Sequence, residues 1–422
     1  MATARALGRR GVPVIGIDSD LDQPGARTRY CTKVHCPDFA NAGPGLVETL
    51  LQLGRQLNDK GVLIPSGDLN VAAVSDNRER LSPYFHFALP PKEVVKLFLD
   101  KKTFLQFALR QRLPIPRTFL TEGKQDIRDI AKEIAYPCLI KPFLHASSEW
   151  KKHFDTRLFL ADSSDRLLSL FDCIFPVHQD LIIQEYMPGE DNQLYWGVTY
   201  LNAEGEPLAV WTGRKLRQYP RGFGTATLAE SRHEPAVAKE AVSILQTMGH
   251  RGYGVVEFKK DRRDGRLKIT EPTGGRTWFP HSLVTRCGIN LPYILYRDLL
   301  GQPVERQTDF KFEEGIKWIH EERDLKTVFL YFLPEGKLTV WSWLKSYRGK
   351  RTYAYAAWDD PKPFVNSCSR IVRAGARRIR RRLFSADPER ARNRGNKPRQ
   401  VEELLLAADP TVGHGLRQVS LD

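Results

Sequence analysis

Two glutamates lie on neighbouring runs of the chain, and their spacing indicates metal chemistry. The segment GYGVVEFKKDRRDGRLKITEPTGGR places Glu257 on its first run and Glu271 on its second. Both runs are rich in β-branched and aromatic residues, and the Asp264-Gly265 pair between them is typical of a β-hairpin turn. A turn centred near Asp264 makes the two glutamates direct cross-strand partners. Like charges in that position destabilise a hairpin, so we expect a divalent cation between the carboxylates.

The hairpin alone leaves two interpretations open. In the first, Mg²⁺ binds one or two protein carboxylates and completes its octahedral shell with phosphate oxygens and water. In the second, the glutamates are a solvated pair that faces Lys259 or Arg266. The two interpretations predict different partners for the carboxylates, so other parts of the chain must separate them.

Two lysines are candidates for binding a polyphosphate. Lys141 follows the apolar run CLI in PCLIKPF, and Lys101 stands at the start of the helix-forming segment KKTFLQFALRQRL. A lysine on a buried strand does not easily reach water, so an anionic partner is the natural explanation, and two lysines would neutralise part of a polyphosphate charge. The loop HASSEW after Lys141 offers hydroxyl and backbone donors but lacks the glycines of a strong phosphate-binding loop.

A third candidate is the strand edge in LIIQEYMPGED. Its apolar run predicts a buried strand, and the Pro-Gly pair predicts a turn directly after it. The edge from Gln184 through Glu185 to Met187 can read an adenine through its backbone, and Asp191 can accept from ribose hydroxyls. The alternative is a strand that simply ends in a turn.

The first ninety residues alternate between helix-forming and strand-forming runs. TARALGRRG, GLVETLLQLGRQLNDKG and LNVAAVSDNRERL predict helices, whereas VPVIGID, VLIPSGD and HFALP predict strands. This alternation predicts an open parallel sheet, and because the chain begins inside a helix, we expect the usual first strand to be missing. Ligands bind at the carboxyl ends of such strands, so the segment PSGD is a candidate substrate edge, with an ordinary turn as the equal alternative.

The middle of the chain predicts mostly antiparallel strands, in YPCLIKPF, LIIQEYM, LYWGVTYLN, PLAVWTGRKL and the glutamate hairpin. Beyond residue 301, EEGIKWIHEERDLKTVFLYFL and LTVWSWLKSY are aromatic-rich and predict helices. With 422 residues and 41% hydrophobic content, the chain is long enough for two or three domains.

The charge and composition exclude some classes of protein. No run approaches the ~20 apolar residues of a membrane span, and the N-terminus lacks the apolar core of a signal peptide, so we expect a cytoplasmic protein. The formal net charge is +15, and residues 370–399 hold eleven arginines and one lysine against one aspartate and one glutamate. That tail therefore carries +10 and the remaining chain +5, so any acidic partner concerns the tail.

Five segments, in order and with suitable gaps, resemble the ATP-grasp superfamily: DKKTF, PCLIKPF, IIQEYMPGED, GYGVVEFKKD and ITEPTGGR. Within that superfamily the chain looks most similar to the carboxylate–amine ligases grouped with D-aspartate ligase. The similarity covers roughly residues 1–300 and extends more loosely through IKWIHEERD. The predicted fold class is therefore α/β and α+β, with an ATP-grasp fold. The domains we expect are a Rossmann-like pre-ATP-grasp domain at 1–98, an ATP-grasp domain at 99–301 split near 180, a helical extension at 302–368 and a basic tail at 369–422.

The resemblance also implies a role for each candidate residue. ATP would lie between two subdomains, and Mg²⁺ or Mn²⁺ would bind Glu257 and Glu271. The family commonly has an asparagine two residues after the second glutamate, whereas this chain has Thr273, whose hydroxyl or a water would substitute. The phosphates, adenine and ribose would be held by Lys101, Lys141, Gln184, Glu185, Met187 and Asp191.

Further basic residues would act on the substrate if the resemblance holds. Arg276 would meet the γ-phosphate or the substrate carboxylate. In TGRKLRQYPRGFGTAT, the side chains of Lys215, Arg217 and Arg221 would bind the carboxylate or an acyl phosphate, although a solvated basic strand is nearly as good an interpretation for each. His281 would line the acceptor pocket, but a surface histidine with satisfied hydrogen bonds is the simpler expectation.

The resulting functional prediction is an ADP-forming ligase that joins a small carboxylate to a small amine. The alternative is a catalytically inactive nucleotide-binding scaffold whose tail, 370–399, docks on an anionic membrane or polymer, at the inner face of the membrane. SRIVRAGARRIRRRLF has apolar positions at helical spacing among its arginines, which suits such a surface. No motif predicts specific nucleic-acid binding. The sequence leaves the substrates and the oligomeric state open, with a homodimer among the options.

Overall fold

The computed structural model describes most of the chain as two compact units. The described residues are 1–121, 126–143, 150, 153–154, 156, 158–220, 222 and 224–384, with side chains up to 373. The large unit contains residues 1–116 and 187–363, and the small unit contains 117–186 and the described residues from 364 onward. The segments 1–98 and 302–368, for which separate domains are expected from sequence, thus lie largely in one unit. Within the described residues, no helix is long and apolar enough to cross a membrane.

The N-terminal part of the large unit alternates helix and strand, as its sequence predicts. Its strands are β1 (Ile15–Asp18), β2 (Thr32–His35), β3 (Gly61–Val62) and β4 (Phe85–His86). Parallel hydrogen bonding joins β1 to β2 and β3 to β4, so the one continuous sheet that we expected is two separate pairs in the structure. The second pair is short because each of its strands is only two residues long. The helices are α1 (Ala2–Gly8), α2 (Pro44–Gln56), α3 (Asp68–Asp76), α4 (Arg78–Leu81), α5 (Lys92–Leu99) and α6 (Lys101–Arg110).

Residues 117–186 of the small unit include a four-stranded antiparallel sheet and two described helices, and most of the helix Lys362–Phe384 also belongs to this unit. The strands are β5 (Thr118–Leu120), β6 (Cys138–Pro142), β7 (Phe159–Ala161) and β8 (Leu181–Glu185), and the helices are α7 (Ile127–Glu133) and α8 (Ser164–Ile174). The strand order is β5-β8-β6-β7. Apolar side chains from both helices and from the inner strands form its core, including Ile130, Leu167 and Phe171. The antiparallel strands predicted here are confirmed.

A seven-stranded sheet forms the centre of the large unit. Its strands are β9 (Leu194–Leu201), β10 (Pro207–Tyr219), β11 (Thr225–Ser231), β12 (Gly252–Lys260), β13 (Leu267–Gly274), β14 (Lys317–Ile319) and β15 (Arg351–Tyr353). The strand order is β13-β12-β9-β10-β11-β14-β15, and every pair except β14 with β15 is antiparallel. The later helices are α9 (Pro235–Thr247), α10 (His281–Arg286), α11 (Leu291–Leu299), α12 (Glu321–Thr327), α13 (Val340–Ser346) and α14 (Lys362–Phe384).

The two faces of this sheet have different environments. Helix α9 lies so close to one face that a Cβ on Gly197 would be 2.3 Å from the Cβ of Ala241, so only glycine fits there. Because side chains alternate between faces along a strand, the neighbouring Trp196 points to the opposite face. That face is covered by an apolar cluster that includes Trp196, Trp211 and Trp278. The absent side chain of Gly213 makes room for the Trp211 ring, which a Cβ there would approach to 2.2 Å.

The helix that we predicted for EEGIKWIHEERDLKTVFLYFL is partly wrong. Lys317–Ile319 is strand β14, because it pairs with β11 on one side and with β15 on the other. The helix begins only at Glu321, where the His320 side chain caps the first turn. The second predicted helix, in LTVWSWLKSY, is confirmed, and Thr339 with Ser342 forms a capping box at its start.

Candidate functional site

Four neighbouring strands bring a row of polar side chains onto one face of the large sheet. Glu271 of β13 is the cross-strand partner of Glu257 on β12, and Glu257 is in turn the partner of Trp196 on β9. On β10, Gly213 pairs with Trp196, and Lys215 lies two residues further on the same face. The predicted pairing of the two glutamates is therefore confirmed, and a lysine lies in the same row.

A β-bulge sets this pairing. Phe258 pairs with Ile269, whereas Glu257 pairs with Glu271, so Thr270 is an extra residue on its strand. Bulges of this kind bend the strand and change the direction of a neighbouring side chain. The Thr270 hydroxyl donates to the Glu257 Oε1 atom at 3.0 Å. The bulge thus places Glu271 opposite Glu257 and also supplies Glu257 with a hydrogen-bond donor.

Three donors hold the Glu257 carboxylate in place. The Lys215 Nζ atom lies 2.8 Å from Glu257 Oε2, and the Trp196 indole N–H donates to the same oxygen at 2.8 Å. The Lys215 ammonium also lies 5.7 Å from the centre of the Trp196 ring, within the range of a cation–π interaction. The cation against Glu257 is therefore the buried Lys215. Of the two cations considered from sequence, Lys259 donates to a backbone carbonyl and Arg266 faces Asp264.

The Glu271 carboxylate has a different environment. Among the described residues, none donates a hydrogen bond to it or lies within ion-pair distance. Surrounding protein atoms desolvate the carboxyl and the charge on Glu257 repels it, and both effects raise its pKa. The charges of Lys101, Arg276 and Lys215 act against that rise. The side chain still has an exposed surface, so a ligand can reach it.

The chemistry of these side chains fits a divalent metal. A carboxylate offers about four lone-pair positions, of which Glu257 uses three and Glu271 none in contacts with described residues. Thr273 lies two residues after Glu271 on β13 and therefore on the same face, as a hydroxyl ligand would require. No group of three or more His, Cys, Asp or Glu side chains with metal-binding geometry occurs among the described residues. The two glutamates would thus rely on phosphate and water for the remaining ligands, which is the usual arrangement for Mg²⁺.

A second cluster in the large unit surrounds Asp191. Its carboxylate is buried and accepts a hydrogen bond from the Gln218 side chain at 2.8 Å. Met187, also buried, lies at the start of the same segment, and its carbonyl oxygen accepts from Lys259 Nζ at 2.7 Å. Burial lowers the pKa of Lys259. Gln218 and Lys259 thus fix the position of the segment that carries two of the predicted nucleotide-binding residues.

The small unit contains three further predicted nucleotide-binding residues. Lys141, on β6, donates from Nζ to the Gln184 side chain of β8 at 2.7 Å. Gln184 donates in turn to the Thr118 hydroxyl at 2.7 Å. The buried Glu185 accepts a hydrogen bond from the backbone N–H of Arg117 at 2.9 Å. Lys141 and Gln184 are therefore in direct contact, because their strands β6 and β8 are neighbours in the sheet of the small unit.

Arg276 lies next to the predicted substrate edge. Its guanidinium forms an ion pair with Asp68, the last residue of PSGD, and the N–H of Thr277 donates to the Pro65 carbonyl at 3.2 Å. Pro65, Arg276 and Tyr253 line a small pocket in this part of the large unit. The segment PSGD is thus placed against the residues that follow β13, which agrees with a role at the substrate edge.

Two residues near the site differ from what we expected, and a third lies outside the described residues. Arg217 is buried and makes two hydrogen bonds to Asp324, at 2.7 and 2.8 Å, so it is a structural residue and not a solvated or substrate-binding one. His281 is buried rather than on the surface, because α1 covers it and Thr3 contacts its ring nitrogen at 3.0 Å. Burial lowers the pKa of His281 to about 3. Arg221 lies outside the described residues, as does most of the loop HASSEW.

Sequence reasoning missed two residues that support the site and one contact of a third. They are Trp196, which holds Glu257, together with Gln218 and the backbone contact of Lys259. Each acts on a partner that is distant in the sequence, so no local pattern marks it.

Comparison with known proteins agrees with this architecture. The chain is 22% identical over 294 residues to the D-aspartate ligase of Enterococcus faecium, with 65% of this chain and 68% of that protein aligned. It is similar to the biotin carboxylase of Campylobacter jejuni in complex with β-γ-ATP, at 14% identity and a TM-score of 0.56, covering 75% of this chain and 71% of that one.

A second solved structure gives a similar result. It is the biotin carboxylase domain of the Hydrogenobacter thermophilus 2-oxoglutarate carboxylase, in complex with MgADP and bicarbonate. The identity is 15% and the TM-score 0.55, with 75% of this chain and 70% of that chain covered. No protein-family model matches the sequence. The chain therefore has a mixed α/β, ATP-grasp-like fold like that of these biotin carboxylases, and its sequence is similar to that of D-aspartate ligase, the group that its motifs resemble.

Proposed function

We propose that this protein is an ADP-forming ligase that joins a small-molecule carboxylate to an amine at the expense of ATP. The observation that carries the proposal is the registered pair of Glu257 and Glu271, with Lys215 against the first and no described donor on the second. A like-charged pair on adjacent strands costs stability. A cation that binds both carboxylates removes that cost, which favours a metal site over a solvated pair.

Six residues are proposed to hold the nucleotide. In the small unit they are Lys141, Gln184 and Glu185. In the large unit they are Lys101 for the phosphates, with Met187 for the adenine and Asp191 for the ribose. The hydrogen bonds from Lys259 and Gln218 support this assignment, because they hold the Met187–Asp191 segment in a defined conformation.

The metal proposed for the site is Mg²⁺ or Mn²⁺, with Glu257, Glu271 and Thr273 as its protein ligands. When bound, such an ion would neutralise charge on the triphosphate. The protein residues have the other tasks. Lys215 orients Glu257 and supplies positive charge next to it, and Arg276 would bind the γ-phosphate or the substrate carboxylate from the side of the PSGD segment.

The proposed reaction has two steps. The substrate carboxylate oxygen attacks the γ-phosphorus of ATP, the bond to the β-phosphate oxygen breaks, and ADP leaves. The amine then attacks the carbonyl carbon of the acyl phosphate, loses a proton and displaces inorganic phosphate to give an amide. Positioning and charge stabilisation account for catalysis of this kind, because neither step requires a side-chain nucleophile. Similarity to D-aspartate ligase supports an amino acid or a related acid as the carboxylate.

Hydroxylamine trapping tests the proposal. The full chain, incubated with MgATP, hydroxylamine and a panel of amino acids and sugar acids, should release ADP and form a hydroxamate with at least one acid. Glu271→Gln should abolish both products, whereas Glu48→Gln, at an exposed position on α2, should leave them unchanged. A chain that binds MgATP yet forms no hydroxamate with any acid would instead be the nucleotide-binding scaffold.

A further inference from the structure

The net charge of the chain is concentrated in two stretches. Besides the tail at 370–399, residues 325–351 contain six Lys or Arg and only one acidic residue, Glu335, a net charge of +5. Since the whole chain carries +15 and the tail +10, all other residues together are neutral. The stretch at 325–351 belongs to the large unit and its side chains are described, so its surface can be examined directly.

This stretch also has an exposed apolar surface. It runs through the end of α12, a π-helical turn at Val328–Phe332 and helix α13. Six large apolar side chains are exposed here, by fractions between 46% and 70%, with Trp341 the most exposed. We call this set the outer patch, and its members are Leu325, Phe329, Leu330, Val340, Trp341 and Leu344.

The helical geometry of α13 separates an outer from an inner face. At about 100° per residue, Val340, Leu344, Arg348, Trp341 and Lys345 fall in that order within one arc of about 140°. Arg348, two residues after the helix ends, extends this arc only if the turn continues, and it is exposed like the other four. The outer face therefore carries both apolar and basic side chains.

The inner face of the same helix is fixed to the body of the large unit. The Trp343 indole N–H donates to the Tyr347 hydroxyl at 2.8 Å, and Tyr347 contacts the buried Asp324. Asp324 is bound in turn by Arg217 of strand β10. The outer patch is thus presented by an element that a buried network holds on the sheet.

We propose that the outer patch docks the protein on the surface of a membrane that contains anionic lipids. An interfacial element of this type combines apolar side chains, an exposed tryptophan and basic residues. Lys345 and Arg348 form no ion pair with any described residue, so their charges are available for lipid phosphates. Helix α13 would lie parallel to the membrane surface, with the Trp341 ring among the lipid headgroups.

Two other occupants fit the surface less well. A second copy of the chain that met the patch through a two-fold axis would bring Lys345 and Arg348 against the same two residues of its partner, and like charges oppose such a contact. A nucleic acid or other soluble polyanion would attract the basic residues but would gain little from exposed valine and leucine side chains. Only the lipid surface uses both the charge and the apolar side chains.

Sedimentation of the full chain with vesicles tests this proposal. Vesicles of phosphatidylcholine with phosphatidylglycerol should bind the protein, and vesicles of phosphatidylcholine alone should bind it much less. Trp341→Ala should weaken binding by about tenfold. Lys345→Glu reverses a charge near the surface and should weaken it by more than about fivefold, the expected effect of removing a single charge there.

Two matched variants serve as controls. Trp358 is 95% exposed but lies outside the outer patch, next to Asp359, so Trp358→Ala should leave vesicle binding unchanged. Lys239→Glu, at an exposed position on α9, reverses a charge elsewhere on the large unit and should have little effect. Thermal unfolding of each variant separates lost docking from lost folding, because all four side chains are exposed.

Other outcomes would overturn the proposal. Trp341→Ala that binds vesicles as tightly as the natural chain would show that the tail alone is responsible. Brominated lipids should quench the fluorescence of the natural chain more than that of Trp341→Phe, and equal quenching would exclude insertion of Trp341. A patch variant that changes the molar mass in solution, and not vesicle binding, would identify an interface between copies. Binding to heparin that falls with Trp341→Ala while vesicle binding stays constant would identify a soluble polyanion.

Discussion

The two glutamates of the site have different environments. Glu257 forms an ion pair with Lys215 and accepts hydrogen bonds from Trp196 and Thr270, so its carboxylate has a defined direction. Glu271 has no donor among the described residues, and desolvation by surrounding protein atoms together with the charge on Glu257 raises its pKa. The Glu257 carboxylate is thus preorganised, and the Glu271 carboxylate is available for a ligand. This arrangement suits a cation that binds together with a nucleotide.

Lys215→Met tests the role of the lysine at the residue scale. The variant removes the charge that orients Glu257 but keeps an apolar chain of similar length over Trp196. We expect kcat for hydroxamate formation to fall by about 10²-fold or more, the usual cost of losing one electrostatic contact in an active site. Lys317→Met, which removes a partly buried lysine facing Glu230 in the same sheet, is the control and should leave kcat within about threefold. Equal losses in the two variants would assign Lys215 a purely structural role.

The sequence predicts the pairing of the glutamates correctly, but for an incomplete reason. A regular hairpin centred on Asp264 would pair Phe258 with Thr270, but in the structure Phe258 pairs with Ile269. The Thr270 bulge restores Glu271 to the position opposite Glu257, and no residue pattern on this strand announces a bulge. Trp196 and Gln218 were not predicted as site residues, because their partners lie 61 and 27 positions away in the sequence.

At the scale of elements, strand β10 connects the site to the C-terminal part of the large unit. Lys215 faces Glu257, while Arg217, two positions further, binds Asp324 at the buried end of α12. A register shift between these two residues separates their directions. Asp324 also accepts from Thr227 at 2.9 Å, so one carboxylate joins β10, β11 and α12.

The Arg217–Asp324 pair should be among the strongest contributions to stability in the large unit. Burial alone would raise the pKa of Asp324, but its hydrogen bonds, above all with Arg217, outweigh this and lower it. Asp324→Ala leaves Arg217 as a buried charge without its partner, so we expect the free energy of unfolding to fall by about 3–5 kcal/mol. Arg80→Met removes an exposed ion pair with Glu48 and should change the free energy of unfolding by less than about 1 kcal/mol. Similar losses in the two variants, measured by denaturant unfolding, would contradict the account.

The elements were predicted well where the chain is locally consistent. The hairpin strands and helices α1, α2, α3, α6 and α13 follow from periodicity, turn residues and caps, whereas helix α5 was not predicted. Lys317–Ile319 was predicted as helix because its aromatic and charged neighbours read as one amphipathic segment. Its strand conformation depends on pairing with β11, whose residue Leu228 is 91 positions before its partner Ile319. A contact of that range overrides local preference and leaves no trace in the segment itself.

At the scale of the whole molecule, three buried histidines in the large unit should make folding sensitive to acid. Burial lowers the pKa of His250 and of His320 to about 4, and that of His281 to about 3. Each stays neutral in the folded protein while an unfolded histidine takes a proton near pH 6.5. Because the unfolded state binds more protons, the stability present above pH 6.5 is lost as the pH falls towards about 4.

His250→Asn isolates one of these contributions. Each histidine adds a slope of up to about 1.4 kcal/mol per pH unit in this window, so the variant should show a shallower dependence of unfolding free energy on pH. The absolute stability of the variant does not enter the comparison, since only the slope is read. Denaturant unfolding at several pH values between about 7 and 4 measures this slope for the variant and the natural chain. An unchanged slope would mean that His250 titrates equally in the folded and unfolded states.

The two regions of positive charge complete the whole-molecule account. The tail at 370–399 remains a proposed contact with an anionic membrane or polymer, and the outer patch is a second proposed contact with lipid. Both combine arginine or lysine with apolar side chains, and the chain outside them is neutral. A ligase held at an anionic surface by two such regions would act on substrates that occur there.

The most direct test of the central claim is the effect of Glu271→Gln on metal binding and on stability together. The isosteric amide removes the repulsion with Glu257, so thermal unfolding without nucleotide should be unchanged or raised by an equivalent of a few tenths of a kcal/mol. Titration of Mn²⁺ in the presence of ATP should show affinity reduced by more than about tenfold relative to the natural chain. Equal Mn²⁺–ATP affinity in the variant and the natural chain would contradict the claim that these two glutamates hold the metal.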